Sequence, residues 1–119
     1  MSTARQSLGA AGEKAAAEAL VRAGYSILER NVRTPFGEID LLARQGSVLC
    51  FIEVKTRSSD AFGHPAEAVT PAKQSHLRKA AALILQRMKW DGDCRFDVVA
   101  VTKGSDGALA AEILPDAFQ

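Results

Sequence analysis

Cysteine is scarce in this chain: Cys50 and Cys94 stand far apart and outside any CxxC or metal-finger spacing. That excludes a disulfide scaffold and a thiolate metal centre, and it fits two buried apolar thiols in a reducing compartment, with a disulfide between them as the weaker alternative. No apolar run approaches the roughly 18 residues needed to span a bilayer, and no charged-then-apolar signal segment opens the chain. The expectation is a cytoplasmic protein without a membrane partner. Repeats, low-complexity segments and linkers are also missing, so residues 1–119 read as one domain, large enough for a single core. Net charge is only +1, which excludes a strongly polyionic chain. Residues 61–90 nevertheless carry five Lys or Arg against one acid, a local basic face compatible with phosphate contacts or with plain solvated surface.

What is present is an alternation of helical and extended patterns. Leu8, Ala15, Ala16, Ala19, Leu20 and Ala23 recur at helical spacing, predicting a helix over Ser7–Ala23 that ends at Gly24. Glu13 falls at the edge of its buried face, either as a surface charge or as a carboxylate bent toward the sheet. Tyr25 to Arg30 reads as a short strand, and Asn31 to Gly37, with Pro35, as a connector bordered by Arg30 and Arg33, each a phosphate contact or a surface charge. Ser58 to Pro65 reads as a polar loop downstream of a strand, making Arg57, Ser58 and His64 candidate substrate contacts, with Phe62 packing the loop down or, as the weaker alternative, stacking on a base. Thr70-Pro71 is a cap-and-proline helix start, followed by a buried stripe of Leu77, Ala80, Ala81, Ile84 and Met88. Lys73 lies in line with that stripe, so it either reaches the strands with Gln74 to hold a phosphate or snorkels to water. Cys94 to Thr102 reads as a buried strand parallel to the one carrying Glu53, with Asp97 as the partner of a basic group such as Arg95 or Lys73. Residues 103–107 form a turn, and Ala108 to Leu114 a last strand ended by Pro115.

The informative stretch is Gly37 to Thr56, two apolar strands joined at Gly46-Ser47. A two-residue loop with Gly first is a type II′ turn, which places Gln45 opposite Val48, and by extension Asp40 opposite Glu53 and Glu38 opposite Lys55. Val48, Cys50, Ile52 and Val54 fill one face and Leu49 and Phe51 begin the other, so the strand is covered on both sides. Charges on such a strand are expensive unless paired or metal-bound. Facing carboxylates repel. A divalent cation between them removes the conflict, since Mg²⁺ takes oxygen ligands and needs only one or two carboxylates beside water and substrate phosphate. Lys55, two residues after Glu53, points to the same face. The competing reading is a set of cross-strand ion pairs, Glu38 with Lys55 among them.

Asp40 followed by Glu53-Val54-Lys55 resembles the split acidic pattern of the PD-(D/E)xK nuclease superfamily. Gly9–Glu13 (GxxGE), Gly37–Ala43 (GEIDLLA), Phe51–Arg57 (FIEVKTR) and Arg95–Val101 (RFDVVAV) together resemble the YraN family of small bacterial proteins over nearly the whole chain. The pattern is also similar to archaeal Holliday-junction resolvases, which add a helical glutamate, here Glu13. Ile39 stands where the superfamily pattern has proline. The resemblance implies a restriction-endonuclease-like α/β sandwich, a mixed sheet flanked by helices in the order αβββαββ. It further implies Mg²⁺ (or Mn²⁺) held by Asp40, Glu53, the Val54 carbonyl and Glu13, with Lys55 completing the catalytic set, and a symmetric dimer by analogy.

The expectation from residues and resemblance together is a divalent-metal-dependent nuclease acting on DNA, branched DNA included. Lys73, Gln74, Arg57 and Arg33 are its candidate substrate contacts. The alternatives are a nucleic-acid-binding module that keeps the fold without cutting, and an interaction protein whose charges form a structural cluster.

Overall fold

The computed structural model describes residues 4–58 and 69–119. Helix α1 (Ala4–Arg22) leads into strands β1 (Ser26–Thr34), β2 (Gly37–Gln45) and β3 (Val48–Ser58), then α2 (Pro71–Met88), β4 (Cys94–Lys103) and β5 (Leu109–Phe118). The five strands form one mixed sheet in chain order, antiparallel except for β3 beside β4. The order αβββαββ and the parallel β3–β4 pair are as expected, because a strand that returns through a helix can re-enter beside its predecessor in the same direction.

Alternation along β3 divides the core in two. Cys50 and Ile52 pack with Ala16, Ala17 and Leu20 of α1, while Leu49 and Phe51 pack with Leu77, Ala80, Ala81 and Ile84 of α2. A strand apolar on both faces thus has a helix over each. Helix α1 sits close to the sheet because Gly12 is buried where a Cβ would overlap Thr56 Oγ1. Its buried face differs from the periodicity at one end: Ala17 is buried and Ala23, past the last helical residue, is exposed.

The hairpin follows its turn. Gly46 takes φ +60° while Ser47 stays out of the left-handed region, the type II′ pattern, and Gln45 pairs with Val48. The ladder then runs to Leu41↔Ile52 and stops. Beyond that point β2 stays on β1, where Glu38 pairs with Arg33, so the predicted pairing of Glu38 with Lys55 is replaced.

Other boundaries depart from the expectation. Strand β1 continues through Asn31 to Thr34, because β2 supplies a ladder as far as Thr34↔Gly37. The bend is confined to Pro35-Phe36, where Thr34 Oγ1 donates to Gly37 O at 2.8 Å and accepts from Phe36 N at 3.1 Å. Thr70 caps α2 as expected, accepting from Lys73 N at 3.3 Å ahead of Pro71. Met88 is exposed rather than buried, since α2 ends there with Lys89 at φ +54°, and Leu85 and Trp90 pack on that end of the core. Pro115 does not end β5. It lies on an edge strand, where a missing N–H breaks nothing, and the strand resumes pairing at Phe96↔Phe118 after an irregularity at which Asp116 takes φ +53°. Both cysteines are free, Cys50 buried as expected and Cys94 exposed instead.

Candidate active site

Where the β2–β3 ladder stops, a side chain takes over. Asp40 Oδ2 accepts from the Val54 N–H at 2.8 Å, so the carboxylate is pinned in the gap between the parting strands. The N–H and C=O of one strand residue point the same way. The Val54 carbonyl is therefore turned toward that gap as well. Asn31 adds to the distortion: at φ +53° it falls between the pairs Arg30↔Leu41 and Val32↔Ile39, level with Asp40. Ile39 and Leu41 consequently pack into different halves of the core, although strict alternation would put them on one face.

A groove of about 310 Å³ opens here, lined by Glu13 and Gly9 of α1, Asp40 of β2, and Glu53, Val54, Lys55 and Thr56 of β3. Glu53 is buried. Its Oε1 receives the Lys73 ammonium at 2.7 Å and faces that of Lys55 at 3.8 Å. Burial pushes the Asp40 carboxyl up to about 7, reinforced by the Glu53 and Glu13 carboxylates and opposed by the Val54 N–H and Lys73. Burial also raises Glu13, with Glu38 next in effect and Asn31 and Arg30 opposing. Lys55 is lowered by burial and then by the neighbouring Lys73. For Lys73 burial acts downward, but the contact with Glu53 outweighs it and the ammonium ends above its ordinary value. In the amide orientation that satisfies both acceptors, Asn31 donates to Glu38 Oε1 at 2.9 Å and to Glu13 Oε2 at 3.3 Å.

Among the described residues, no three of His, Cys, Asp and Glu gather as a ready-made metal cage. The donor set that does converge, the Asp40 and Glu53 carboxylates with a backbone carbonyl turned toward them, is chemically a Mg²⁺ type: hard oxygens, with room for water. The upward displacement of Asp40 is what partial burial beside a second carboxylate produces. The residues fit such an ion.

The model of the uncharacterised protein family UPF0102 matches residues 12–101, which contain all of the groove's charged side chains. The chain belongs to UPF0102. It is 52% identical over 112 residues to the UPF0102 protein STH1475 of Symbiobacterium thermophilum, covering 93% of this chain and 95% of that one. With a UPF0102 protein of Moorella thermoacetica it shares 48% over 120 residues, 99% and 100% of the two chains. A UPF0102 protein of Chlorobaculum parvum is 54% identical over 104 residues, 86% and 80% of the two. This is the YraN family that the GEIDL and EVKTR segments resemble.

Within this UPF0102 fold the structure brings together Asp40, Glu53, Val54, Lys55 and Glu13 in one groove, with Lys73 on Glu53. It does not bring Gln74 or Arg33 there by contact. Gln74 Nε2 is committed to Val69 O at 2.9 Å, and Arg33 stands over Glu38 at 3.6 Å with its side chain 87% exposed. Arg57 continues β3 one residue beyond Thr56, and Ser58 ends the strand. His64 and Phe62 lie outside the described residues. Sequence reasoning passed over Asn31 and Thr56. Asn31 stands four residues before Pro35 in a stretch that reads as a connector, and no local signal separates it from a strand residue held at positive φ. Among the described residues no helix is long and apolar enough to cross a membrane.

Proposed function

We propose that this protein is a divalent-metal-dependent nuclease hydrolysing phosphodiester bonds in DNA, with branched DNA among its substrates. The observation that carries the reading is the convergence of Asp40, Glu53 and Lys55 in one groove at the point where β2 and β3 part. Resemblance to the PD-(D/E)xK nucleases and the archaeal Holliday-junction resolvases supports it, and implies a symmetric dimer.

In this reading Asp40, Glu53 and the Val54 carbonyl hold Mg²⁺ or Mn²⁺, with Glu13 contributing from α1. Such an ion supplies charge stabilisation at the phosphoryl oxygens and an acidified water. Asp40 anchors Val54 through its N–H, which fixes both oxygen donors relative to each other. Lys55, partly buried with a lowered affinity for its proton, positions a water or offsets negative charge on the phosphate as the P–O bond breaks. The floor of the groove excludes bulk water on the sheet side, where the electrostatic effect of each charge is greatest.

The test is cleavage of labelled four-way junction and linear duplex DNA with Mg²⁺ or Mn²⁺. Wild type cuts in the presence of metal, and Asp40→Ala and Lys55→Ala abolish cutting while leaving the fold intact by circular dichroism. Cleavage that survives both substitutions removes the mechanism. A second reading, a module that binds nucleic acid and does not cut it, is favoured by the lack of a ready-made cluster of three metal ligands among the described residues. Gel-shift binding of these DNAs without cleavage in either metal favours it.

A further inference from the structure

Lys73 is held as a cation by the acid it faces, against its position on the helix. It lies in the first turn of α2, where the helix N-terminus is itself positive and where this helix has no acidic residue to balance it. It also shares its partner: Lys55 lies 3.8 Å from the same Glu53 oxygen that Lys73 holds at 2.7 Å. Two ammonium groups converge on one carboxylate oxygen. The Asp40 carboxyl beside it accepts only a backbone N–H among the contacts described. A side chain that tolerates this crowding is doing the work of a cation on Glu53.

We propose that Lys73 is a tethered counter-ion which occupies the position of the divalent cation on Glu53 and is displaced when that cation binds. This rests on the metal-site reading above and adds to it a competitor built into the chain. A divalent cation on Glu53 and the Lys73 ammonium would compete for the charge of the same carboxylate. Once displaced, the Lys73 ammonium is repelled by the ion and by its own helix terminus. It is then available to a substrate phosphate in the groove. Lys73 therefore balances the buried Glu53 and the half-buried Asp40 beside it without metal, sets the threshold for metal loading, and couples loading to phosphate binding.

The experiment is calorimetric titration of Mn²⁺ into the full chain and three variants, with no DNA present. Lys73→Gln keeps polarity and length but removes the charge. Breaking a half-exposed pair of this kind should tighten Mn²⁺ binding by roughly three- to ten-fold. Its metal-free form should melt below wild type and recover in saturating Mn²⁺. Lys73→Arg keeps the charge and should bind within about two-fold of wild type. Lys79→Gln removes a charge from an exposed position on the same helix. It should leave the affinity unchanged. Equal or weaker binding by Lys73→Gln than by wild type overturns the proposal while the metal site stands. Equal tightening by Lys79→Gln also overturns it, since helix charge alone would then suffice. No Mn²⁺ binding by wild type or Lys73→Gln removes the metal-site reading and the counter-ion with it. Binding by Lys73→Gln alone establishes the competition in its strongest form.

Discussion

Asp97 and Asp40 are both aspartates set into the central strands of one sheet, and they are treated in opposite ways. Asp97 is fully buried and fully partnered. Arg95 grips it with Nε on Oδ1 at 2.8 Å and a second nitrogen on Oδ2 at 2.9 Å, while the Tyr25 hydroxyl donates to Oδ2 at 3.0 Å and Asp116 N to Oδ1 at 2.9 Å. The network extends outward, since Arg95 also donates to Gln45 Oε1 at 2.8 Å. Burial raises the Tyr25 hydroxyl to about 12, with the Asp97 charge next in effect, so it stays a donor throughout the physiological range. Asp40 has one backbone N–H and two neighbouring carboxylates, and its carboxyl is displaced to about 7. A buried acid with a bidentate arginine is a structural fastener, whereas one left among like charges stores unfavourable energy that a ligand can relieve.

The contrast is broken most severely at its closed end. Asp97→Ala leaves the Arg95 guanidinium, the Tyr25 hydroxyl and the Asp116 N–H without their acceptor, and stability should fall by about 3 kcal/mol in urea unfolding. Equal stability of the variant would mean the network is incidental.

A middle effect is expected where α1 touches β3. A Cβ at Gly12 would overlap Thr56 Oγ1, so Gly12→Ala should lift the helix and cost about 1–3 kcal/mol. Glu13 moves with the helix, so Mn²⁺ affinity should fall as well. Adding Thr56→Ala removes the overlapping atom and should restore most of both. Recovery of stability without recovery of affinity would show that Thr56 itself serves the site.

The smallest change in stability, and the sharpest test of the comparison, is Asp40→Asn. The Asp40 carboxyl is raised above its unfolded value of 3.8 to about 7, so the folded state holds that proton more tightly. Stability linked to Asp40 is therefore fully present below about pH 4 and is lost as pH rises toward 7. In metal-free protein, urea unfolding should find Asp40→Asn gaining on wild type across that window, then keeping a constant lead of roughly 1 kcal/mol or more above it. A variant that is more stable yet binds no Mn²⁺ identifies Asp40 as functional. Asp97 substitutions should show no such exchange of stability for function.

Much of the architecture was legible because it depends on short-range rules. A glycine first in a two-residue loop dictates a type II′ turn, hence the Gln45–Val48 register. Thr70-Pro71 dictates a helix start. Period-two alternation sorts β3 into the two faces that α1 and α2 cover. Asp40, Glu53 and Lys55 were legible as charges in an otherwise apolar hairpin, and Asp97 as a partner for Arg95. Those features are set by dihedral preference and by the pleat, which neighbouring residues determine.

What only the tertiary structure decided is which groups meet which. Local pattern left Lys73 divided between water and phosphate, and the packing of α2 against β3 puts it on Glu53. Glu38 looked paired to Lys55 until the ladder ended at Leu41↔Ile52 and left it with Arg33. Strand β1 followed its pairing partner past Arg30 as far as Thr34, and β5 ran on past Pro115. The charged groove has the same origin, because the point where two strands part depends on every element packed against them. The hairpin residues alone determined that acids would stand near one another; the helices on either face determined which further charges they meet there, Glu13 from α1 and Lys73 from α2.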